Sequence, residues 1–337
     1  MASRNKGGAM VRAVLRFLCV LLGIVLALMI GVTVYVESLL GSINRFDEEV
    51  SSVLSQSELE QILKGDEDVG DDGGAVSLPE GYAESIEDSD HIINFLLIGQ
   101  DRRDTKTRQR SDAMILCTLN TKDKTLTMTS FLRDMYVKLP TYQGKQYGSN
   151  RLNVPYVIGG MEMLDECLAM NFGVDVDYNI EVDFSGFEKI VDLMGGVDIE
   201  LTAAEANWIG GGLKEGVNHL DGKNALEYAR IRKLDSDFAR TNRQRIVLTA
   251  MLGQVKELSV KEVLELMDQI LPMVTTDMTN REIVRYVFRL FPLLSGLEVN
   301  TQHIPAEGHY EGRRIDGMAV LVPDFEANIQ ILKDTIG

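Results

Sequence analysis

The sequence predicts a three-layer α-β-α sandwich with a mixed central sheet, preceded by one N-terminal transmembrane helix. From residue 91 onward, buried-type apolar runs such as IINFLLIG (92–99) and AMILCTLN (113–120) alternate with amphipathic stretches. Strands interleaved with helices are typical of a layered α/β domain. A separate run of 20 uncharged residues lies near the N-terminus. We therefore divide the chain into a basic N-terminus (1–16), a span (17–36), a juxtamembrane helix and acidic linker (37–90), and an extracytoplasmic domain (91–337).

The N-terminal run FLCVLLGIVLALMIGVTVYV (17–36) has the length of a membrane span. At about 1.5 Å per helical residue it covers the roughly 30 Å hydrocarbon core. A cleaved signal peptide is the alternative, but its apolar region is usually about 7–15 residues long and ends in small residues. Four basic residues precede the run and Glu37 follows it. By the positive-inside rule, the N-terminus is expected in the cytoplasm and the large domain outside, with the lipid bilayer as a partner of this helix.

Charge and composition exclude several functions. The formal charge is −17, from 51 acidic and 34 basic residues, so nucleic acid is not expected as a partner. The three cysteines and four histidines show no disulfide or zinc spacing. The phosphate-binding loop, the nucleophile elbow and the dinucleotide fingerprint have no match in the sequence. Any anionic ligand must therefore be bound by a local basic cluster.

The elements are predicted in chain order. Residues 37–64 have the spacing of a short helix, and residues 65–90, with ten acids and no Lys or Arg, read as a solvated linker. Strands are predicted at 92–99, 113–120, 124–132, 178–184, 197–201 and near 297–306. Helices are predicted at 159–173, 184–196, 222–229, 241–258, 261–271, 280–294 and 323–335.

Carboxylates lie at two predicted strand ends. Asp101 follows the first strand after Gly99, and Asp112 begins the second, so the two flank one loop. If these strands are neighbours, the carboxylates converge. Paired carboxylates with room for water suit Mg²⁺, which retains water and bridges to phosphate oxygens. The alternative is a solvated loop whose aspartates pair with nearby arginines.

Arginines are concentrated at two further places. Arg133 ends the strand in SFLRDMYVKLP, where a simple salt bridge is the alternative reading. The stretch EYARIRKLDSDFARTNRQR (227–245) holds six cations. Arg230 and Arg232 point to one side of an extended segment, and each offers a fork that matches two phosphate oxygens. Arg240 and Gln244 share a helix face. The alternatives here are a salt-bridged surface and, for Gln244, a capping box with Thr241.

Taken together, these stretches resemble the LytR-CpsA-Psr family. The likeness covers about 92–258 and includes NFLLIGQDRR, RSDAMIL, SFLRDMYVKLP, NRLNVPYVIGG, VDFSGFEKIVDLMGGVDIEL and HLDGKNALEYARIRKLDSDFARTNRQRIVL. The resemblance implies an α-β-α sandwich with a long hydrophobic pocket. It also implies transfer of glycopolymers, such as teichoic acid or capsule, from undecaprenyl pyrophosphate to peptidoglycan in the bacterial envelope.

The resemblance assigns roles to matching positions. Asp101 and Asp112 would bind Mg²⁺, or Mn²⁺ in its place. The catalytic residues would be Arg133, Arg230, Arg232 and Asp237, with Asp237 near the reacting centre as a candidate base. The pyrophosphate would be bound by Arg110, Arg133, Arg230, Arg232, Arg240 and Gln244.

This sequence departs from the family pattern at a few places. Phe131-Leu132 replaces the usual Ile-Pro, Met135 the frequent Thr after Arg-Asp, and Ala113 the frequent Thr after Ser-Asp. No charged position is lost. The likeness is weak beyond Leu258, where a lineage-specific extension is expected.

Three functions remain open at this point. The first is metal-assisted phosphotransfer of a glycopolymer to a sugar hydroxyl. The second is hydrolysis of a lipid-linked pyrophosphate, with water as the nucleophile. The third is a binding module that holds polyprenyl-pyrophosphate precursors without turnover. A transcriptional regulator is not expected, because the domain is acidic and predicted to lie outside the membrane.

Overall fold

The structure, a computed structural model, describes residues 41, 44–45, 56–63, 76, 78–79, 81–86, 90–101 and 109–336. The predicted span (17–36) and the basic N-terminus (1–16) lie outside these residues. Within the described part of the chain, no helix combines the length and apolar character that a membrane crossing requires.

Thirteen strands are assigned among the described residues, several of them short. They are β1 (Asn44–Arg45), β2 (Ile92–Gln100), β3 (Ser111–Asn120), β4 (Thr125–Phe131), β5 (Tyr136–Lys138), β6 (Ser149–Arg151), β7 (Tyr178–Asp183), β8 (Val197–Leu201), β9 (Gly216–Leu220), β10 (Val274–Thr276), β11 (Glu298–Ile304), β12 (Tyr310–Ile315) and β13 (Met318–Pro323).

Nine α-helices are assigned in the same part of the chain. They are α1 (Gln56–Leu63), α2 (Val154–Phe172), α3 (Phe184–Leu193), α4 (Ala203–Ile209), α5 (Gly222–Ala229), α6 (Asp237–Val255), α7 (Val260–Ile270), α8 (Asn280–Leu294) and α9 (Phe325–Ile336).

Seven strands form the central sheet, in the order β1-β10-β7-β2-β3-β4-β11. The sheet is mixed, as predicted: β2 pairs antiparallel with β3 and parallel with β7, and β4 pairs parallel with β11. Successive residues of β3 are buried on opposite faces, which explains its unbroken apolar sequence. Met114 and Leu116 face a core that includes α2 and α9, whereas Ile115 and Cys117 face α6. Helices therefore cover both faces, which gives three layers.

The strands and helices agree with the sequence prediction best where the apolar pattern is longest. The hairpin β3–β4 turns where the tight turn 121–124 was predicted, and α8 has the predicted bounds. Helix α2 begins five residues earlier than predicted and α6 four residues earlier. The hairpins β5–β6, β8–β9 and β12–β13, and helix α4, were not predicted.

Part of the stretch predicted to be a solvated linker packs against the domain. Ile86 is buried in the main core, and its N–H donates to the carbonyl of Gly173 at 2.8 Å. Gly173 ends α2 with φ of 69°, and a Cβ at this position would lie 2.1 Å from the carbonyl oxygen of Glu84. Glycine is therefore required both by the backbone conformation and by the close approach of the linker. Composition alone hid this contact, because acids surround the one buried isoleucine.

Helix α5, which precedes Arg230, packs tightly on α3. Its first residue, Gly222, would place a Cβ 2.0 Å from the carbonyl oxygen of Glu188. The N–H of Gly222 also donates to Asp192 at 2.7 Å. The position of Arg230 thus depends on a backbone contact that excludes any side chain at residue 222.

We expect Gly222→Ala to lower the free energy of unfolding by about 1–3 kcal/mol, because α5 must move away from α3. Gly253→Ala is the matched control: nothing lies within 4 Å of its added Cβ. In the exposed interior of α6 that change should stabilise the chain by up to about 1 kcal/mol. Denaturant unfolding of both variants measures the difference. Equal stability of the two variants would contradict the close packing of α5 on α3.

Candidate active site

Five segments converge at one edge of the central sheet, by which we mean the edge formed by the ends of β2 and β4 and the start of β3. Asp101 follows β2, and Asp112 is the second residue of β3. Because β2 and β3 are antiparallel neighbours, with Gly99 opposite Ala113 and a shift in register next to it, both aspartates reach the same edge. Arg133 follows β4 at this edge as well. The end of α5 and the start of α6 supply the other side chains of the site.

The carboxylate of Asp112 receives two guanidinium groups. Arg133 Nη1 donates to Asp112 Oδ1 at 2.6 Å, and Arg232 Nη2 donates to the same oxygen at 3.0 Å. Arg240 Nη2 lies 3.3 Å from the main-chain carbonyl oxygen of Asp112. These charge-assisted contacts bring together strand β3, the turn after β4 and the segment between α5 and α6.

The most buried charge of the site is Arg240, whose side chain is 2% exposed. Its Nη2 pairs with Asp237 Oδ2 at 2.9 Å, while Nε and Nη1 are buried without a hydrogen-bond acceptor among the described residues. Burial lowers the pKa of Arg240 to about 10, against the opposing effect of Asp237. Burial likewise raises the pKa of Asp237, although Arg240 and Arg133 pull it down. Two donors of Arg240 thus remain available to an anion.

Arg133 connects the two halves of the site. Besides Asp112 it lies 3.8 Å from Asp237 and 3.6 Å from Asp134. Burial alone would lower its pKa, but the three carboxylates outweigh burial and raise it. Arg133 therefore stays charged where an anion would be bound.

Arg230 completes the group on the other side. Its Nη2 lies 3.6 Å from Asp101 Oδ2, and its guanidinium lies over the ring of Phe184, 4.5 Å from the centroid. Stacking on the first residue of α3 holds the side chain in place. Both arginines of the Arg-Ile-Arg segment therefore turn toward the paired aspartates, as predicted.

Arg110 lies at the margin of the site. Its Nη2 donates to the main-chain carbonyl of Ile62 in α1 at 3.1 Å. Burial, and then the charges of Arg151 and Arg133, lower the pKa of Arg110. Arg110, which was predicted to bind pyrophosphate, therefore lies near the other cations of the site, but its side chain donates a hydrogen bond to α1.

Asp134 and Arg151 were not predicted as site residues. Arg151 Nε lies 3.6 Å from Asp134, and its Nη2 donates to the carbonyl of Ala319 in β13 at 3.0 Å. The N–H of Leu321 donates to the carbonyl of Asp134 at 2.9 Å. The hairpin β12–β13 thus supports the turn that carries Arg133. Only the charge of these two residues marks them in the sequence, because the residues of β13 that they contact, Ala319 and Leu321, are more than 160 positions away.

Two of the six clustered cations belong to the scaffold instead. Arg243 pairs with Glu205 at 2.7 Å and with Asp235, and it is 6% exposed. Arg245 is buried and donates to Ser130 at 2.6 Å. The capping box suggested for Thr241 and Gln244 is wrong: α6 begins earlier, and Ser236 caps it by accepting from the N–H of Ala239. Gln244 therefore lies in the second turn of the helix and lines the cavity described next.

An apolar cavity of about 140 Å³ opens beside the arginines. Asp112, Arg230, Arg232, Arg240 and Gln244 line one part of it. The rest is lined by apolar side chains of the sheet and of the helices α3, α5 and α6: Leu97, Ile98, Ala113, Ile115, Ile180, Val182, Phe184, Phe187, Leu226, Ala229 and Leu248. A ligand with an anionic head and a hydrocarbon tail fits this division.

Asp101 and Asp112 are the candidate metal ligands of the site. No group of three or more His, Cys, Asp or Glu side chains able to hold a metal occurs in the described ranges. Mg²⁺, however, usually takes one or two carboxylates from a protein and completes its shell with water and substrate phosphate. Asp101 and Asp112 meet that requirement in number and chemistry, although guanidinium groups contact both. The donor set fits a magnesium ion that is bound together with a phosphate ligand.

Comparison with known proteins decides the family. The family model described as "LytR_cpsA_psr family" matches residues 58–335 of the chain. The chain belongs to the LytR-CpsA-Psr family. The match extends well past residue 258, beyond which an extension outside the family pattern was expected, and it includes the described part of the acidic linker. The hairpin β12–β13 that supports the Arg133 turn is therefore part of the LytR-CpsA-Psr domain rather than an extension.

Two relatives of the chain have names that state a role. The chain is 36% identical, over 51% of its length, to "Polyisoprenyl-teichoic acid--peptidoglycan teichoic acid transferase TagU" of Bacillus licheniformis, of which it covers 55%. It is 34% identical, over 48% of its length, to "Regulatory protein MsrR" of Staphylococcus aureus, of which it covers 49%. The chain thus spans about half the length of these relatives.

A solved structure described as "TagT bound to LIIa-WTA" has the same fold. It superposes with a TM-score of 0.61 at 27% identity and covers 78% of this chain and 98% of that one. The α/β fold with a mixed central sheet is therefore shared with LytR-CpsA-Psr proteins of known structure.

The raised pKa of Asp237 leads to a pH prediction. Protonation of Asp237 removes a counter-charge from Arg240 and Arg133, so pyrophosphate should bind more tightly as the pH falls through this pKa. Asp237→Asn lacks the titration, and the ratio of wild-type to variant Kd should approach one at low pH and rise toward neutral pH. Calorimetric titration of metal-free protein measures both constants, and the ratio cancels the titration of the ligand itself.

Asp268→Asn serves as the control, because Asp268 is exposed on α7. That variant should follow the wild-type pH profile. A constant ratio between wild type and Asp237→Asn at all pH values would show that Asp237 does not titrate against the bound anion.

Proposed function

We propose that this chain transfers a glycopolymer from an undecaprenyl-pyrophosphate carrier to a sugar hydroxyl of peptidoglycan. The observation that carries the proposal is the set of guanidinium groups at the edge of an apolar cavity. The name of the Bacillus licheniformis relative, a peptidoglycan teichoic acid transferase, supports the same reaction class. Teichoic acid or a capsule polymer would be the group transferred.

The anionic head would be bound by four arginines. Arg230 and Arg232 line the cavity beyond the end of α5, and Arg240 lines it from α6. Arg133, in the turn after β4, does not line the cavity but contacts Asp112, which does. Two adjacent phosphoryl groups form a compact polyanion, which forked guanidinium groups bind in a bidentate manner. Gln244, beside Arg240 on α6, offers a further polar contact.

The polyprenyl tail would enter the apolar part of the cavity. A volume of about 140 Å³ resembles that of cavities known to bind a benzene-sized group. The cavity therefore accommodates only the isoprenoid units next to the phosphate. The remaining tail requires another apolar environment.

The reaction would proceed at the phosphorus atom linked to the sugar. The acceptor hydroxyl oxygen attacks this atom, the bond to the bridging oxygen breaks, and undecaprenyl phosphate leaves with the bonding electrons. Asp237, whose pKa burial raises, would accept the hydroxyl proton. Arg133 and Arg240 stabilise the charge that develops on the phosphoryl oxygens. Mg²⁺ or Mn²⁺, bound by Asp101 and Asp112, would supply further neutralisation of the pyrophosphate charge.

The proposed setting is the outer side of a bacterial cell membrane, with the N-terminal helix as a single anchor. The transferase would then meet both its lipid-borne donor and peptidoglycan there. Hydrolysis is the nearest alternative, because water could replace the sugar hydroxyl. Product analysis separates the two reactions: transfer leaves a phosphodiester on peptidoglycan, whereas hydrolysis releases free glycan phosphate.

We expect Arg230→Ala and Arg232→Ala each to reduce the transfer rate by about 100-fold or more, of the order of losing one transition-state donor. Lys233→Ala is the matched control, since Lys233 is an adjacent exposed cation that does not line the cavity. Single-turnover transfer of a labelled lipid-linked glycan to peptidoglycan provides the measurement. Wild-type rates in both arginine variants would refute the assignment.

We expect Leu248→Trp to fill the cavity and to weaken binding of polyprenyl donors while pyrophosphate binding stays unchanged. Leu248 lines the cavity from α6, whereas the neighbouring Thr249 is exposed. Thr249→Trp is therefore a control with the same added side chain on the same helix. Competition binding with donors of increasing tail length distinguishes them. If both variants bind the longest donor as the wild type does, the tail does not occupy this cavity.

A further inference from the structure

Helix α8 carries a basic face in an otherwise acidic chain. Arg281, Arg285 and Arg289 are exposed and spaced four residues apart, so they lie along one side of the helix. None of the three forms an ion pair with a described residue. The only acid of the helix, Glu282, caps its N-terminus by accepting hydrogen bonds from Thr279. The outward charge of α8 is therefore positive, against −17 for the whole chain.

Apolar side chains flank these arginines. Phe288 is 55% exposed, and Val284 and Phe291, at helical spacing on the same side of it, are only partly buried. The opposite side of α8 packs into the domain through Tyr286, Leu290 and Leu294. The solvent-facing surface thus has a basic flank and an apolar flank, a pattern typical of helices that lie in a membrane interface.

The position of α8 relates it to the cavity. The ring centroid of Tyr286 lies 5.7 Å from that of Phe95 and 5.3 Å from that of Tyr178. Phe95 lies two residues before Leu97 on the same face of β2, and Leu97 lines the cavity. Helix α8 therefore covers the same sheet face as the cavity. It lies at the end of the strands opposite to the site arginines Arg230 and Arg232. A long tail that exceeds the cavity would need apolar surroundings near this end.

We propose that the outward face of α8 lies on an anionic lipid surface. The arginines would contact lipid phosphates, and Phe288 would enter the region between headgroups and acyl chains. A soluble polyanion would satisfy the arginines but would leave Phe288 in water. The lipid contact itself does not depend on the proposed function. Only its consequence rests on that function, namely that this orientation directs the cavity toward a lipid-borne donor.

The test uses the full chain in lipid nanodiscs of defined composition. Phe288→Trp is introduced together with Trp208→Phe, because Trp208 is the only native tryptophan. Lipids with brominated acyl chains quench an indole that enters the bilayer. Val217→Trp in the same background is the probe control, since Val217 is 74% exposed on β9. We expect quenching at residue 288 to exceed that at residue 217 in phosphatidylglycerol discs and to weaken in phosphatidylcholine discs.

Charge reversal tests the role of the arginines. Each basic residue near an anionic surface contributes about fivefold to partitioning. In the triple variant Arg281→Glu, Arg285→Glu and Arg289→Glu, the excess of quenching at residue 288 over that at residue 217 should therefore fall by about tenfold or more. Lys122→Glu, Lys214→Glu and Lys223→Glu make the same charge change at exposed positions elsewhere and should leave the quenching intact. Circular dichroism confirms that each variant is folded.

Three results would overturn the inference. The first is that quenching at residue 288 is no greater than at residue 217. The second is that quenching at residue 288 is equal in neutral and anionic discs and persists after charge reversal. The third is that the indole emission at residue 288 is blue-shifted but is not quenched by bromine. The last would show that a second protein copy covers the face. Pyrophosphate binding by the same variants is a separate measurement. If neither the wild type nor any variant bound pyrophosphate, the proposed function would be refuted and the quenching result would still stand.

Discussion

The burial of the Arg240 guanidinium is the constraint on which the site depends. Removing a charge from water costs several kcal/mol unless a partner and hydrogen bonds offset the loss. For Arg240 the partners are the carboxylate of Asp237, one turn before it, and the main-chain carbonyl of Asp112. The first contact lies within α6, whereas the second fixes the start of α6 over the edge of β3. Once α6 is held there, the segment that leaves α5 must pass beside Asp112, and Arg232 reaches the same carboxylate as Arg133.

The charged side chains at this edge contact one another, and these contacts have a consequence for ligand binding. Asp112 contacts both Arg133 and Arg232, and Asp101 lies next to Arg230. A pyrophosphate that takes these guanidinium groups would release both carboxylates, which are the oxygen ligands that Mg²⁺ prefers. A metal ion bound by these carboxylates would in turn free the guanidinium groups to bind the phosphates. Anion and cation binding should therefore be mutually favourable, since each removes the competitor of the other.

The sequence predicts those features that depend on neighbouring residues or on long apolar runs. Strands β2, β3 and β4 could be identified because both faces are buried. The placement of Asp101 and Asp112 at the same end of the strands followed from the antiparallel pairing of β2 with β3. The support of Arg133 by Arg151 and the β12–β13 hairpin could not be predicted, because it joins segments far apart in the chain. The start of α6 was misplaced because two caps compete, and Ser236 forms the cap while Thr241 donates to Phe238 within the helix. Arg243 and Arg245 show the same limit: sequence spacing does not distinguish a buried scaffold cation from one that faces the cavity.

An acidic chain can still bind anions at particular places, because charge acts over a short range in salt. At physiological ionic strength the screening length is about 8 Å, so a ligand responds to the nearest side chains more than to the total of −17. The arginines at the sheet edge and those on α8 are local exceptions of this kind, and they lie on different parts of the domain. The surrounding acids then repel polyanions that approach elsewhere, which favours encounter at the basic positions. On this argument the acidic surface and the basic site serve the same end, since repulsion over most of the surface leaves few places where a phosphate-bearing polymer can bind.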